Sequence, residues 1–597
     1  MKFPYGICDF RKIIKDGYFY CDRTDRIPLL EKGTYQIFLR PRRFGKSLLL
    51  SMLTNYYDIA RKDAFQDVFG HLKIGKNPTP LHSSYFILEW DFSCVDPSGS
   101  AENIKKALHT HINGCIRSFA VYYREFLKEE IRINPDDAID SIRSLITAVR
   151  MTEHPLYLLI DEYDNFANEV MMGIRREKGI YEALVYEEGA LKTLFKAVKS
   201  STKDSVFDRI FITGVSPVVM SDITSGYNIA DNIYLNPVYN DMCGFHGSEI
   251  ADTVKQICRE CGFGDSAAED AVHLMKTYYN GYIFSPEADT DEKICNPTLA
   301  IYFLKAFHET CKPPRKMLDA NLATDDAKLR FISGIPGGSQ LLLDIVEEQQ
   351  PVVTSDLEDR FGIQRMLSGA AKDNTLLISF LYYFGVLTLK GQTEIGELEF
   401  RVPNLVIQGL YAERIREMLL PEPMERDAGV NAAKLVFQEG DMAPICEFIE
   451  TRYFSVFRNR DYRWANELTV KTAFLTLLYN EILYIMDSEP EAGRTYADLT
   501  MIIRPDMRKF KIFDVLIEFK YVSLKKAGLS GDQAKSLSVQ ELREIPEMKS
   551  EMEAAKKQIK SYGDELEKKY KALRLKRFAV VSLGFERLWW ETEGYFA

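Results

Sequence analysis

No stretch of this sequence stays apolar for the about 20 residues that a helix needs to cross a bilayer. Runs such as Leu156 to Ile160 and Phe578 to Leu583 have the length of strands. The N-terminus, Met1-Lys2-Phe3-Pro4-Tyr5-Gly6, lacks the apolar core of a secretion signal, so a cytoplasmic protein without membrane contact is expected. Cysteine is scarce and irregularly placed, 10 in 597 residues, which argues against a disulfide scaffold and fits reduced thiols. The close pair Cys258 and Cys261 lacks the second pair that a zinc site needs, and both read as packing residues. Positive charge is in deficit: 76 Lys and Arg against 87 Asp and Glu leave a net charge of −11. The chain is therefore no polycation that coats nucleic acid, and any such contact must come from a local basic groove. Internal repeats and low-complexity tracts are missing too, and 46% hydrophobic with 27% charged residues is ordinary for globular domains.

What is present divides into about three or four domains' worth of chain. Residues 1–238 alternate β-like runs with helical stretches, the pattern of a parallel α/β sheet. Residues 239–310 read as a mostly helical lid. Residues 311–455 read as a helical connector opened by Lys312-Pro313-Pro314-Arg315. Within it, Leu376 to Gly385 reads as a helix and Val386 to Leu389 as a strand, an order compatible with a winged-helix module. Residues 456–597 read as a helix, two strands, a charged helix and a final strand.

The first chemical signal is Tyr35-Gln36-Ile37-Phe38-Leu39 followed by Arg40-Pro41-Arg42-Arg43-Phe44-Gly45-Lys46-Ser47 and a helix-forming run. A strand, a Gly-Lys-Ser turn and a helix in this order make a phosphate cradle from backbone N–H groups and the positive helix end. Arg43, Phe44, Gly45, Lys46 and Ser47 are the expected nucleotide contacts, with Lys46 on the phosphates and Ser47 on Mg²⁺. A glycine is usual where Arg40 stands. The second half of the site is Leu156-Tyr157-Leu158-Leu159-Ile160-Asp161-Glu162, an apolar strand ending in two acids. Asp161 is expected to serve Mg²⁺ and Glu162 to polarise the attacking water. A further strand, Asp208 to Pro217, offers Thr213 or Ser216 to the γ-phosphate. Arg209 reads as a surface charge before that strand. Asp91, at the end of a strand around Tyr85 to Ser93, is divided between a place near the metal and a structural turn.

Asp9-Phe10, Tyr20-Cys21-Asp22-Arg23-Thr24, Arg40-Pro41-Arg42-Arg43-Phe44-Gly45-Lys46-Ser47 and Tyr279-Asn280-Gly281-Tyr282 together resemble the prokaryotic AAA-ATPase-like family. Its members carry a C-terminal domain of the PD-(D/E)XK nuclease superfamily, and the Arg-Pro-Arg-Arg form of the loop is usual among them. The resemblance implies a P-loop NTPase sheet with a helical lid, a helical or winged connector and a nuclease-like α/β domain.

The C-terminal sequence supplies residues for such a site. Asp498 opens one strand of a hairpin, and Glu518-Phe519-Lys520 lies near the end of its partner. Alternation places Glu518 and Lys520 on one face and Phe519 on the other. Asp498 and Glu518 can then share Mg²⁺, while Lys520 steadies the developing charge. A cross-strand salt bridge in an exposed hairpin is the simpler alternative. The resemblance adds Gln558 as an accessory active-site glutamine. Lys557 and Lys560 could meet phosphate, though a solvated helix face is their default. Many superfamily members also bring an acid from the first helix. Here Lys471 stands in the aligned stretch, with Glu467, Glu481 and Glu489 as substitutes. The expected function is ATP- and Mg²⁺-dependent hydrolysis gating cleavage of nucleic acid, DNA foremost, by a chain that can oligomerise. The alternative is a non-cleaving NTP switch whose C-terminal domain binds nucleic acid or a protein partner.

Overall fold

A parallel strand covered on both faces reads as a continuous apolar run, and Leu156–Asp161 is such a run. In the computed structural model it lies at the inside of a parallel sheet. The structure describes all residues except 97–99, 166–189, 203–205, 218–229, 290–292, 320–322, 348–350, 359–373, 456–466, 488–497, 571–572 and 593–597. Among the described residues this sheet comprises Tyr35–Leu39 (β1), Phe86–Asp91 (β2), Leu156–Asp161 (β3), Phe207–Gly214 (β4) and Asp231–Asn232 (β5), in the order β2-β3-β4-β1-β5. Alternation divides β3 between two cores. Leu156, Leu158 and Ile160 join one with Ile142 and Phe195, and Tyr157 and Leu159 join the other with Leu53 and Phe211. Helix α1 (Lys46–Tyr57) covers the second face, and α2 (Ala101–Tyr122) and α3 (Ala138–Arg150) cover the first.

The lid packs α4 (Gly247–Glu260), α5 (Asp265–Tyr279) and α6 (Pro297–Thr310) around Ile250, Leu274 and Phe303. A short ribbon of β6 (Phe245–His246) and β7 (Ile294–Cys295) joins it. One expectation fails here. Cys261 is not a free packing thiol but is bonded to Cys311, 50 residues away in sequence. Each cysteine directly follows a lid helix, α4 or α6, and the two helix ends meet. Spacing along the chain points to Cys258 and gives no sign of this partner; Cys258 itself is buried and free.

In the connector, β8 (Val352–Thr354), β9 (Thr388–Gln392) and β10 (Leu398–Arg401) form an antiparallel sheet in the order β8-β10-β9. It is accompanied by α7 (Asn374–Tyr383) and α8 (Leu405–Leu419). The β9 strand starts later than the sequence suggests, because the Val386 and Leu387 N–H groups turn back to the Leu381 carbonyl at 3.0 and 3.2 Å.

The C-terminal part follows α9 (Glu467–Leu478) with a sheet of order β11-β12-β13-β14-β15 among the described residues. Its strands are Tyr484–Asp487 (β11), Leu499–Ile503 (β12), Asp514–Val522 (β13), Leu575–Leu583 (β14) and Arg587–Thr592 (β15), with α10 (Pro546–Lys569) between β13 and β14. β13 and β14 run parallel and the other neighbours antiparallel. The two edge strands were not expected from sequence. One has only four residues, and the other is an amphipathic run behind a turn. A continuous apolar core runs from Leu158 through Phe380 and Leu410 to Phe474 and Ile517, tying both sheets to the connector.

Candidate functional site

β1 leads into Arg40 to Gly45, and α1 starts at Lys46. Gly45 sits at φ 91, a left-handed conformation open to glycine without Cβ strain, and no side chain caps the first N–H groups of α1. This helix end borders a cavity of ≈ 430 Å³, lined by Gly45, Lys46, Ser47 and Glu162 at one side and by Tyr5 and Ile7 at another. Lys46 is buried, its Nζ donating to the carbonyls of Arg40 at 3.0 Å and Pro41 at 3.2 Å. Burial pulls its pKa down, opposed by Asp161, Glu162 and Asp164. Ser47 Oγ donates to Asp161 Oδ2 at 2.6 Å, and Thr213 Oγ1 donates to Asp161 Oδ1 at 2.5 Å. Thr213 reaches this carboxylate because β4 lies between β1 and β3.

Glu162 follows at φ 48. A left-handed non-glycine residue costs on the order of 1–2 kcal/mol. Burial raises the Glu162 carboxyl above its ordinary pKa, with Lys46 opposing, so this group takes up a proton more readily than an exposed glutamate. Arg43, at φ 66, keeps its Nη1 buried without a hydrogen-bond partner beside the cavity that it lines. An uncapped helix start, an unpartnered guanidinium N–H and a hydroxyl–carboxylate pair suit a phosphate with a hard cation. Phe44 is instead buried, its ring edge-on to Tyr282 at 4.9 Å and Phe284 at 5.0 Å.

Arg40 explains the missing glycine. Its guanidinium turns inward between the rings of Phe38 and Phe284, at 4.5 and 4.2 Å. It donates to the carbonyls of Leu39 at 2.8 Å, Tyr234 at 2.9 Å and Tyr239 at 2.7 Å. Burial draws its pKa down to about 10. Arg40 therefore braces the loop from behind rather than meeting phosphate. Ser216 is also turned away, its Oγ donating to the buried Asp164 at 2.9 Å. Arg209 lies at the start of β4 and donates to the Gly33 and Glu31 carbonyls at 2.8 and 3.0 Å. Asp91 accepts from Ser93 N and Oγ at 2.9 and 2.7 Å, a turn contact.

The C-terminal candidates converge around the middle of β13, where β12 begins. Leu499 pairs with Ile517, which puts Asp498 opposite Glu518, and Asp498 Oδ2 accepts from Phe519 N at 2.7 Å. Phe519 faces α9, with its ring 5.0 Å from that of Phe474. Glu518 and Lys520 share the other face, with Lys520 Nζ donating to Glu518 Oε1 at 2.9 Å and to Phe519 O at 2.8 Å. Burial, then the Asp498 charge, push the Glu518 carboxyl up to about 7, and Lys520 opposes them. Burial pulls Lys520 down, but Glu518 and Glu467 outweigh it and its net shift is upward. Glu518 Oε2 and Gln558 Oε1 are buried without hydrogen-bond partners. Two acceptor oxygens left in this state suit a divalent cation with its water.

Glu467, at the start of α9, lies 3.7 Å from Lys520 Nζ, and its pKa is raised by burial. Of the three substitutes, Glu467 is the one that the structure brings to Lys520. Glu481 is elsewhere, its carbonyl receiving Arg504, and Glu489 lies outside the described residues. Lys471 is buried one turn along α9 from Glu467. Lys557 and Lys560 stay on the exposed face of α10. Sequence reasoning missed Tyr562. It is hydrogen-bonded by Gln558, and its pKa is raised by burial and then by Glu518 and Asp498. Its place one turn beyond Gln558 was the available signal. Among the described residues no three His, Cys, Asp or Glu side chains gather as a ready metal cluster. Among the described carboxylates, Asp498 and Glu518 lie opposite each other across the strand pair, with Glu467 near Lys520.

These features define a P-loop domain joined to a nuclease-like domain. Residues 4–224 match the family described as predicted AAA-ATPase, and residues 465–591 match the PD-(D/E)XK nuclease superfamily. The first match covers the N-terminal part of the chain and the second the C-terminal part. A relative from Azotobacter chroococcum mcd 1, the uncharacterized protein in the vnfD 5′ region, is 23% identical over 553 residues, covering 89% of this chain and 92% of its own. Among solved structures, the Walker-type ATPase of Pyrococcus abyssi is 13% identical, with a TM-score of 0.34 over 65% of this chain and 94% of its own. The Aeropyrum pernix Orc1 protein, solved in complex with DNA, is 9% identical, with a TM-score of 0.24 over 68% and 89%. No described helix is long and apolar enough to cross a membrane.

Proposed function

We propose that the chain binds and hydrolyses ATP with Mg²⁺ at the P-loop, and that this gates a Mg²⁺-dependent phosphodiesterase acting on DNA. The observation that carries the reading is the gathering of Asp498, Glu518, Lys520 and Gln558 around the middle of β13, with Glu518 Oε2 buried and unpartnered. In the ATP site, Lys46 and the N–H groups of α1 hold the phosphates, and Ser47 and Asp161 are the donors for the cation. Glu162 takes the proton of the attacking water. In the C-terminal site, Asp498 and Glu518 hold the cation, and Gln558 orients the water. Lys520 neutralises charge on the scissile phosphate. Mg²⁺ bound in either site supplies charge neutralisation at phosphate and, in the second, a more acidic water.

The test is a cleavage assay on single- and double-stranded DNA and RNA, with and without ATP and Mg²⁺. Cleavage of DNA that needs Mg²⁺ and changes with ATP is expected. The absence of a ready three-acid cluster among the described residues favours the second reading, a switch that binds without cutting. That reading takes over if nucleic acid binds in an ATP-dependent way and no substrate is cut.

A further inference from the structure

The segment from Tyr278 to Phe284 touches the C-terminal sheet at one end and the phosphate loop at the other. At one end, Tyr278 is buried, and its hydroxyl donates to the Tyr484 carbonyl of β11 at 2.6 Å, with the Glu481 carbonyl at 3.3 Å. β11 pairs with β12, Tyr484 lying opposite Ile503 and Asp487 opposite Thr500, so β11 leads from Tyr278 toward the end of β12 that Asp498 precedes. At the other end, the rings of Tyr282 and Phe284 grip Phe44, the neighbour of Gly45 in the phosphate loop.

Between these ends there is no slack. Gly281 sits at φ 126, where a Cβ would lie 1.9 Å from the Pro403 carbonyl oxygen. Beyond Pro403, Leu405 opens α8, and its carbonyl accepts from Tyr479 at 2.8 Å, just after α9, the helix that carries Glu467. Tyr282 donates to the Gly385 carbonyl at 3.2 Å, and a Cβ on Gly385 would lie 2.7 Å from Pro41 of the phosphate loop. The Ile283 N–H donates to Thr388 at 2.8 Å, and the Phe284 N–H to Asn240 at 2.8 Å.

We infer that Tyr278–Phe284 is the element by which nucleotide at the P-loop alters the C-terminal carboxylate site, with Tyr278 as its terminal positioning residue. The inference rests on the ATP-binding reading above. Lys46 Nζ donates to the Arg40 and Pro41 carbonyls, and a phosphate competes for the same ammonium as a stronger acceptor. A change in bonding at Pro41 bears directly on Gly385 and Tyr282. Close-packed residues pass such a shift on rather than absorb it. By linkage, the cation at Asp498 and Glu518 must alter nucleotide affinity by the same factor that nucleotide alters its own.

The test uses the full chain with Mg²⁺ and a non-hydrolysable ATP analogue. Nucleotide affinity is read by calorimetry, and amide exchange is read at Tyr484–Asp487. Tyr278→Phe keeps the ring and removes only the hydroxyl. Tyr282→Phe does the same at the other end, and Tyr302→Phe, whose hydroxyl bonds Lys316 O at 3.0 Å, is the control. The expected result is that nucleotide slows exchange at β11 about fivefold or more in the wild type and in Tyr302→Phe, a size typical of coupled sites. The change is lost in Tyr278→Phe, with nucleotide affinity held within about twofold. If the wild type binds no nucleotide, the ATP reading itself falls. If it binds and β11 exchange is unchanged, or changes as much in Tyr278→Phe and Tyr282→Phe, the coupling is overturned and the ATP reading stands. Loss of the change in Tyr302→Phe as well overturns it too. Should Tyr278→Phe not fold by circular dichroism, Tyr282→Phe decides alone.

Discussion

Lys46 and Arg40 are both buried cations of one loop, six residues apart, yet they have opposite uses. Lys46 borders the cavity and bonds two loop carbonyls, whereas Arg40 is turned away and spent on three carbonyls and two rings. Lys46→Ala should therefore weaken ATP by roughly 10- to 150-fold, the worth of one charge-assisted bond of about 1.5–3 kcal/mol. Calorimetry checks this, and equal affinity in the variant would remove Lys46 from the phosphates. Glu162→Gln should leave ATP affinity near the wild-type value and lower turnover by roughly 10²–10⁴-fold, the usual contribution of a positioned base. A phosphate-release assay at saturating ATP separates the two effects. The Gly-Lys-Ser turn and the Asp161-Glu162 pair were legible because each is contiguous and sits at a strand end. The inward turn of Arg40 was not legible, because its acceptors at Tyr234 and Tyr239 lie about 200 residues on, at separations of 194 and 199.

At the scale of the element, β13 does most of the work at the second site. Its alternation sends Glu518 and Lys520 to the α10 face and Phe519 to the α9 face, and that much could be read from the sequence. Glu467 was only one of three substitutes, and Tyr562 was not foreseen, because contact between α9, α10 and β13 is set by packing of Phe474 and Ile559. Burial holds the Glu518 carboxyl protonated to about pH 7, against an ordinary value of 4.5. Between these values the unfolded chain gives up this proton first, so the contribution of Glu518 to stability falls as the pH rises through that window. Urea denaturation without Mg²⁺ at pH 5 and pH 8 should show a larger loss in the wild type than in Glu518→Gln, which keeps only the contributions of other raised carboxyls such as Glu162 and Glu467. Mg²⁺ requires the carboxylate, so its affinity should rise through pH 7 by up to about tenfold per pH unit on the acidic side. Because Lys520 holds this pKa down, Lys520→Met should move the midpoint of Mg²⁺ binding to higher pH. A midpoint that stays in place would mean that Glu518 is not the titrating ligand.

For the whole molecule, the question is whether two sites on two sheets behave as one machine. The lid meets the C-terminal sheet through Tyr278, the phosphate loop meets the connector at Pro41 and Gly385, and one apolar core joins the N-terminal sheet, the connector and the C-terminal sheet. Little of this was visible in the sequence. Tyr279-Asn280-Gly281-Tyr282 stood out as a motif, but its partners at Phe44 and Gly385, and that of the preceding Tyr278 at Tyr484, are brought near only by folding. The two chemistries should nevertheless separate on mutation. Asp498 accepts from a backbone N–H of β13, within the C-terminal sheet, so Asp498→Ala should remove any cleavage while ATP turnover stays within about twofold and the melting temperature shifts by only a few degrees. Lys520→Ala should retain Mg²⁺ binding but cut more slowly, since it acts on charge that develops during the reaction. If Asp498→Ala changed ATP affinity several-fold with the fold intact by circular dichroism, the carboxylate site would be feeding back on the P-loop. Because a one-way gate cannot exist in binding free energies, the size of that feedback would then set the size of the gating in the forward direction.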